Sequence, residues 1–206
     1  MDIDFIMTVQ NDGDVAAAIA DSPAKLGYVS SLDNIPKIPY FLDYPFTDPD
    51  STFNDHLEAA KALNPDIVVA PDIEKGLSLE DGIHQADRLS DYADTVVVVP
   101  KSVHPTDIPE RFRVGLTMAN FGSNAPWLLW DYKDCTSIHV LGGPPHRQII
   151  ALEHGLPVES MDSFALGIQS MYGVWDGKKQ DAPDHWDYRR RVTESIRNYC
   201  RIINNL

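Results

Sequence analysis

The chain repeats one pattern: a short apolar segment that fits a β-strand is followed by an amphipathic stretch that fits a helix. Most apolar segments are continuous, which is typical of parallel strands covered on both faces. The predicted strands span residues 3–9, 26–30, 38–42, 67–70, 95–99, 112–117, 138–141 and 158–161. The predicted helices span residues 14–20, 52–63, 79–92, 125–130, 145–154, 164–172 and 185–203. This alternation restricts the chain to the α/β class.

Eight strands favour a compact, reduced (β/α)8 TIM barrel, with a doubly wound open sheet as the alternative. The chain has 206 residues, whereas a typical barrel needs about 250. Some crossover helices should therefore be short or missing, notably between residues 30 and 38. The stretches 35–49 and 175–184 are predicted to be surface loops. Since no linker interrupts the pattern, we expect one domain over residues 1–206 that ends in a C-terminal helix.

The net charge is −14, with 31 acidic residues against 17 basic ones. A surface of this sign is repelled by nucleic-acid phosphates. A cytoplasm with a high salt concentration would weaken this repulsion, because the electrostatic screening length falls to about 3 Å at 1 M salt. The composition thus indicates a halophilic host or a virus of one. The alternative is an acidic enzyme that acts on small molecules.

Neither a membrane span nor a secretory leader is visible in the sequence, so we expect no membrane association and a cytoplasmic location, in the host if the protein is viral. The two cysteines, Cys135 and Cys200, form neither a disulfide framework nor a Cys-x-x-Cys zinc motif. We therefore predict no metal site and no cofactor.

A first functional motif covers residues 137–148 and the strand that follows. It consists of an apolar strand, a Gly-Gly turn and a helix opened by prolines, and the next strand ends at Asp162. Gly142 and Gly143 allow positive φ and let backbone amides approach a ligand, and Arg147 can bind a phosphate. A ligand would then fit between the turn and Asp162.

A second motif lies at residues 64–74. Four apolar residues precede Pro71, which ends the strand, so the Asp72 carboxylate should emerge at its carboxyl end, with Glu74 two residues later. This residue is a candidate for proton transfer. An acid at this place is also common as a helix N-cap or loop residue.

Together the two motifs resemble the tRNA-guanine transglycosylase family. In that family a strand, a glycine-rich turn and a proline precede a helix, and the next strand ends with the nucleophilic aspartate. Val140-Leu-Gly-Gly-Pro-Pro-His-Arg147 and Val158-Glu-Ser-Met-Asp-Ser-Phe164 match this order, and Asn64-Pro-Asp-Ile-Val-Val-Ala-Pro-Asp72 matches the strand whose aspartate handles the base. The resemblance implies a barrel fold, Asp162 as the nucleophile and Asp72 as the proton-transfer residue.

The chain departs from the family at two places. It lacks the family's zinc site of three cysteines and a histidine, and Ala165-Leu-Gly replaces the Pro-Thr-Arg that follows the nucleophile. With only the barrel core present, the chain is more similar to the phage and bacterial branch that modifies DNA. The resemblance then implies exchange of guanine in DNA for a 7-deazaguanine base through a covalent aspartyl-sugar intermediate.

The partners implied are DNA, with tRNA as the alternative, and a 7-deazaguanine base as co-substrate. The sequence also leaves open a homodimer or a protein partner. In the loop after the sixth strand, Asn120, Gly122 and Ser123 are candidates for reading the edge of the base, as are Gly142 and Gly143. A simple turn before a helix explains that loop equally well.

A local basic patch lies in the C-terminal helix, where Arg189 and Arg190 begin a series of five arginines. With Arg147, they are candidates for binding the nucleic-acid backbone. The alternative is a solvated helix whose arginines pair with acids such as Asp184 and Glu194.

Two other classes of function remain open. The first is a metal-dependent lyase or hydrolase acting on a small molecule, which would use Asp72, Glu74 and a histidine. The second is a noncatalytic adaptor built on the same barrel, in which neither Asp72 nor Asp162 would have a chemical role.

Overall fold

Eight parallel strands, one from each predicted segment, close into a barrel in chain order, because β1 pairs with both β2 and β8. The predicted (β/α)8 barrel class is thus confirmed. The computed structural model describes residues 3–9, 12–30, 38–46, 48, 50–74, 76–118 and 127–206. The barrel strands are β1 (Asp4–Thr8), β2 (Lys25–Val29), β3 (Phe41–Asp43), β4 (Ile67–Val69), β5 (Thr95–Val98), β6 (Arg113–Thr117), β7 (Ile138–Leu141) and β8 (Val158–Asp162).

Six α-helices accompany the strands in the described part of the chain. They are α1 (Gly13–Ala20), α2 (Phe53–Leu63), α3 (Leu79–Leu89), α4 (Pro145–Glu153), α5 (Ala165–Ser170) and α6 (Tyr188–Ile203). Between β5 and β6 the described crossover contains only the short 3-10 turn Pro105–Asp107. The expectation that crossovers are reduced is therefore met there, while residues 31–37, between β2 and β3, lie outside the described residues.

Local sequence explains where the helices begin and end. At α2 the Thr52 side chain accepts the amide of Asp55, and the Asp55 side chain accepts the amide of Thr52, which satisfies two backbone donors. The same helix ends at Asn64, which adopts a left-handed conformation with φ 44°. At α3 the N-cap is Ser78, whose hydroxyl accepts the amide of Asp81.

Two element predictions were wrong in the described regions. The helix predicted over 125–130 is, where described, the 3-10 turn Leu129–Tyr132, which is too short for regular α-helical bonding. The loop predicted over 175–184 contains a hairpin of β9 (Val174–Trp175) and β10 (Lys179–Gln180). Gly177, with φ 78°, makes the hairpin turn, and Trp175 is buried against α6.

One apolar cluster lies in the barrel interior and is composed of Ile6, Phe41, Ile67, Val69, Val97, Val99 and Leu141. Glycine on β2 makes room for its largest member. A Cβ atom at Gly27 would lie 2.9 Å from Ile6 and 3.0 Å from Phe41. The Phe41 ring therefore occupies space that any other residue at position 27 would fill.

Helix α6 runs along the outside of the barrel, from the mouth, where the strands end, to the base, where they begin. Near the mouth, Tyr188 donates a hydrogen bond to the carbonyl of Gly167 in α5 (3.1 Å). Near the base, the Asn204 side chain accepts the amide of Ile3 (3.0 Å). Between them Tyr199 packs edge-on against Phe5, with ring centroids 4.6 Å apart. None of the described helices is long and apolar enough to cross a membrane.

Candidate active site

Three aspartates lie at the barrel mouth. Asp43 is the last residue of β3, Asp72 follows β4 by three residues, and Asp162 is the last residue of β8. The carboxyl ends of parallel barrel strands meet at one face, which is where barrel enzymes place their active sites. In the closed order β4 and β8 lie on opposite sides of the barrel. The two acids singled out from separate motifs thus reach the same face from opposite walls.

The Asp162 carboxylate is held by the glycine turn. Its Oδ1 accepts the amide of Gly142 (3.1 Å), and the side chain is almost fully buried. The turn requires glycine, because Gly142 and Gly143 have φ 59° and 84° and a Cβ at Gly143 would lie 2.5 Å from the carbonyl oxygen of Met118. The Gly142 amide therefore orients the carboxylate, and a base contact by Gly142 or Gly143 stays a prediction.

Gln148 fixes the backbone around Asp162. Its Nε2 donates to the carbonyl oxygens of Asp162 (2.6 Å) and Gly142 (2.9 Å). Its Oε1 accepts the Tyr199 hydroxyl of α6 (2.5 Å). Since Gln148 and Tyr199 are both fully buried, these bonds lie out of competition with water. The strand end, the glycine turn and α6 thus form one rigid unit.

His139 contacts Asp162 from inside the barrel wall. It lies on β7, fully buried, with its ring stacked on Phe41 at 5.1 Å. Nε2 is 3.2 Å from Asp162 Oδ1, and Nδ1 is 2.7 Å from the Ser160 hydroxyl. Burial lowers the pKa of His139 although the Asp162 carboxylate opposes that shift, so the imidazole is neutral near pH 7.

The sequence interpretation missed the role of His139, which it considered only as one of several scattered histidines. A signal was available in the alternation of the strands. His139 and Leu141 of β7 share the inward face of the barrel with Ser160 and Asp162 of β8. Strand pairing therefore brings His139 beside Asp162.

Asp72 forms an ion pair with Lys101, which follows β5. Lys101 Nζ is also 3.8 Å from Glu74, which is much more exposed. Burial raises the pKa of Asp72 to about 6, with Lys101 opposing the shift. Asp72 therefore changes its protonation state close to neutral pH, as a proton-transfer group should.

Asp43 is a third acid that the sequence interpretation did not select. The predicted strand ended at residue 42, one residue too early, so the acid at its end was not considered. Burial in the mouth raises the pKa of Asp43 well above its ordinary value, and Asp162 and Asp72 raise it further. Asp43 therefore lies close enough to the other two carboxylates for their negative charges to disfavour its own.

A pocket of about 400 Å³ opens beside Asp72. Tyr44, Phe46 and Phe53 contribute aromatic surface to its wall, and Asp72, Glu74 and Gln85 contribute polar groups. The Gln85 Oε1 atom is buried and has no hydrogen-bond partner among the described residues. A cavity of this size that combines aromatic side chains with hydrogen-bonding groups suits a flat heterocyclic ligand with a polar edge.

Comparison with known proteins places the chain in a family. Residues 26–204 match the model of a family described as a family of unknown function, DUF6610. The chain belongs to the DUF6610 family. No curated protein matches it. The matched region of this DUF6610 protein contains the three aspartates of the mouth and His139.

The three arginines predicted to contact nucleic acid lie in two places on this DUF6610 chain, at the start of α6 and at the start of α4. Arg189 pairs with Asp21, the residue that follows α1, and Arg190 lies over the Trp186 ring at 4.6 Å. Arg147 lies in the first turn of α4, next to the glycine turn. Contacts of these arginines with a phosphate backbone stay predictions.

The remaining predicted contacts lie in a part of the chain that the structure does not describe. Asn120, Gly122 and Ser123 belong to residues 119–126, outside the described ranges. Their proposed reading of a base stays a prediction.

In the described part of the DUF6610 chain, no group of three or more histidine, cysteine, aspartate or glutamate side chains is arranged to hold a metal ion. The two cysteines, Cys135 and Cys200, are not joined to each other.

Proposed function

We propose that this DUF6610 protein is a guanine transglycosylase that exchanges a guanine in DNA for a 7-deazaguanine base. One observation carries the proposal. Two aspartates from separate motifs lie at one barrel mouth on opposite walls: Asp162 is held by backbone and side-chain hydrogen bonds, and Asp72 has a pKa of about 6. Base exchange on a sugar requires a fixed nucleophile and a separate proton-transfer group.

In the first step, an oxygen of the Asp162 carboxylate attacks C1′ of the target deoxyguanosine. The C1′–N9 bond breaks, and its electron pair passes to the guanine. Protonated Asp72 gives the departing guanine a proton, and the sugar remains attached to Asp162 as an ester. This is the covalent route of retaining glycosidases, which protects the sugar from water until the next base arrives.

In the second step, the incoming 7-deazaguanine gives its N9 proton to Asp72 and attacks C1′. The bond between C1′ and the Asp162 oxygen breaks, which restores the carboxylate. Two inversions at C1′ retain the original configuration, and the proton that Asp72 lost in the first step returns. The exchange is balanced without an oxidant, a reductant or a cofactor.

The pocket beside Asp72 supports a base as the ligand. Its aromatic side chains Tyr44, Phe46 and Phe53 offer stacking surface, and Asp72 with Gln85 offers polar partners for a purine-like edge. The target guanine would first have to leave the DNA stack, at a cost of a few kcal/mol. Stacking on the aromatic wall would offset part of that cost.

The acidic composition limits how the polymer binds. With a net charge of −14, long-range attraction to phosphates is absent, so contacts must come from local groups such as Arg147, Arg189 and Arg190. We therefore expect binding in high salt to depend on the flipped base more than on the backbone. A homodimer or a protein partner would supply further contacts, and tRNA is the alternative polymer.

The test is base exchange in high salt. Purified protein is incubated with 7-deazaguanine bases and either double-stranded DNA or tRNA, and the nucleosides are analysed by mass spectrometry. We expect a deazaguanine nucleoside in DNA, and a loss on the order of 10⁴-fold in rate with Asp162→Asn, because the amide cannot act as the nucleophile.

The matched control is Asp87→Asn, which changes an exposed acid on α3 that pairs with Arg111. This variant should keep wild-type activity. Incorporation into tRNA alone would assign the other polymer. Incorporation into neither polymer, or full activity of Asp162→Asn, would contradict the proposal.

A further inference from the structure

We infer that His139 is a positioning residue that fixes Oδ1 of Asp162 and leaves Oδ2 as the oxygen that attacks the sugar. The inference rests on the proposed function for its chemical consequence. Its structural content is a specific proton arrangement in the barrel wall, which can be tested without any activity. A chain of hydrogen bonds runs from Arg113 through Ser160 and His139 to Asp162.

The chain starts at a group that can only donate. Arg113, on β6, extends Nη1 to the Ser160 hydroxyl oxygen (2.7 Å), and a guanidinium has no acceptor atom. The Ser160 oxygen therefore accepts this bond, which leaves its own proton free to point elsewhere. Its other close polar neighbour is His139 Nδ1, at 2.7 Å. Ser160 is fully buried, so water does not compete for that proton.

The other end of the chain is a group that can only accept. Asp162 Oδ1, as part of a carboxylate, accepts hydrogen bonds and donates none, and it lies 3.2 Å from His139 Nε2. If Nε2 carried no proton, two lone pairs would face each other across that distance in a buried site. The hydrogen-bond network therefore assigns the proton to Nε2 and the lone pair to Nδ1.

The donor end at Arg113 and the acceptor end at Asp162 both place the imidazole proton on Nε2. Arg113 donates to Ser160, Ser160 donates to Nδ1, and Nε2–H donates to Asp162, so each polar atom of this chain has one compatible partner. The ring is fixed in this orientation by stacking on Phe41, with an interplanar angle of 16°. Burial also disfavours the doubly protonated imidazole. The arrangement is therefore a single, preset state.

The consequence for Asp162 is an asymmetry between its two oxygens. Oδ1 receives hydrogen bonds from both the Gly142 amide and His139. Among the hydrogen bonds that join described residues, none reaches Oδ2. Two donors on one oxygen fix the rotation of the carboxylate and draw charge toward that oxygen. The other oxygen accepts no hydrogen bond from the described residues and is held in a constant direction, as a nucleophile requires.

The structural test is ¹⁵N nuclear magnetic resonance of the histidine rings in the resting protein. The His139 signal is identified by its loss in His139→Gln, since the chain has 7 histidines. We expect a neutral ring with its proton on Nε2. A proton on Nδ1, or a charged ring at neutral pH, would overturn the inference, and this result needs no measurement of activity.

The functional test compares two serine variants. Ser160→Ala removes the donor to Nδ1, so the preference for the Nε2–H form should be lost and kcat for base exchange should fall about 10-fold to 100-fold with KM unchanged. Ser137→Ala removes a different hydroxyl that accepts Arg113 Nε (3.0 Å) and does not contact His139. This control should keep both the ring signal and kcat.

The two proposals fail differently. If the wild-type ring has the expected Nε2–H form but no base exchange occurs, the proposed function is wrong and the positioning of Asp162 stands. If exchange occurs but Ser160→Ala changes neither the ring signal nor kcat, the positioning role is wrong and the proposed function stands.

Discussion

The buried carboxyl group of Asp72 lowers the stability of the fold near neutral pH. Burial favours its neutral form, so the folded protein binds a proton at this carboxyl more tightly than the unfolded chain does. The free energy of unfolding then falls as the pH rises from about 4 to about 6, and the full cost is present above pH 6. The rise in the pKa of Asp72 from 3.8 to about 6 corresponds to roughly 3 kcal/mol of unfolding free energy.

Replacement of Asp72 should expose this contribution. Between pH 7 and pH 4 the wild-type protein gains stability from protonation of Asp72, whereas Asp72→Asn gains none. We therefore expect the unfolding free energy of the variant to fall relative to that of the wild type by roughly 3 kcal/mol between pH 7 and pH 4. Denaturant unfolding at several pH values measures it. A difference that is constant with pH would contradict the raised pKa of Asp72.

At the residue scale, the sequence predicts the position of a side chain that is set by its own strand. Asp72 and Asp162 each come at or just after the end of an apolar strand, which can be seen in the sequence without the structure. The same rule applied to Phe41-Leu-Asp43 would have found Asp43, but nearby prolines hid the end of the strand. His139 could not be selected in this way, because its partners are determined by the pairing of β7 with β8.

The elements around the site depend on one buried bond between α6 and α4. Tyr199→Phe keeps the ring but leaves the Gln148 Oε1 atom without its donor. An unsatisfied buried acceptor costs about 1–3 kcal/mol, and Gln148 would also hold Asp162 less firmly. We expect a lower Tm by thermal unfolding and a reduced kcat for base exchange.

Tyr28→Phe is the matched control. The Tyr28 hydroxyl is buried and has no hydrogen-bond partner in the described part of the chain, so its removal leaves no acceptor unpaired. This variant should be neutral or slightly stabilised. If Tyr199→Phe costs no more stability than Tyr28→Phe, the bond to Gln148 does not have the structural role described above.

Element boundaries were predictable where a cap or an apolar run marks them. The helix at Thr52 and the strand before Pro71 are examples, because Thr52 has a capping box and Pro71 cannot continue a ladder. The hairpin β9–β10 was missed although Asp176-Gly177 is a common turn pair. Its strands have two residues each, too few to show an alternating pattern, and their stability comes from packing on α6.

For the whole molecule, the excess of acidic residues predicts a response to salt. Near neutral pH the net charge of −14 opposes the compact state through self-repulsion, and salt shortens the range of that repulsion. We expect the unfolding free energy to rise on the order of 1 kcal/mol between 0.1 and 1 M KCl, which is about 2–4 °C in Tm. Thermal unfolding at both concentrations tests this.

A matched variant identifies the origin of the effect. Asp66, Asp91 and Asp94 surround one surface depression, where their charges repel each other. Asp91→Asn combined with Asp94→Asn should therefore reduce the gain in Tm from salt. If Tm falls as KCl is added, the surface ion pairs outweigh self-repulsion and the prediction is wrong.

For the whole molecule, the barrel was predictable because eight predicted strands that alternate with helices are compatible with few architectures. The closure itself, with β1 beside β8, follows from no local signal. The missing helix between β5 and β6 could be anticipated only as a shortage of residues. The closure of the barrel and the lengths of its crossovers therefore depend on long-range packing, which composition and periodicity do not reveal.

The wall of the barrel is uneven, and this should affect how it opens. Strands β3 and β4 have three residues each, whereas β6 and β8 have five and β7 has four. Shorter ladders have fewer bonds to break, so backbone amides on that side should exchange with deuterium sooner.

We expect the amides of Leu42 and Val68 to exchange faster than those of Val140 and Met161, although all four residues are buried. Equal rates would indicate a wall that opens only as a whole. Asp162 then lies on the side of the wall that opens rarely, and Asp72 lies on the side that opens more often. For the proposed base exchange, this means that a bulky base would enter and leave past Asp72, while the bond to the sugar is held still on the opposite side.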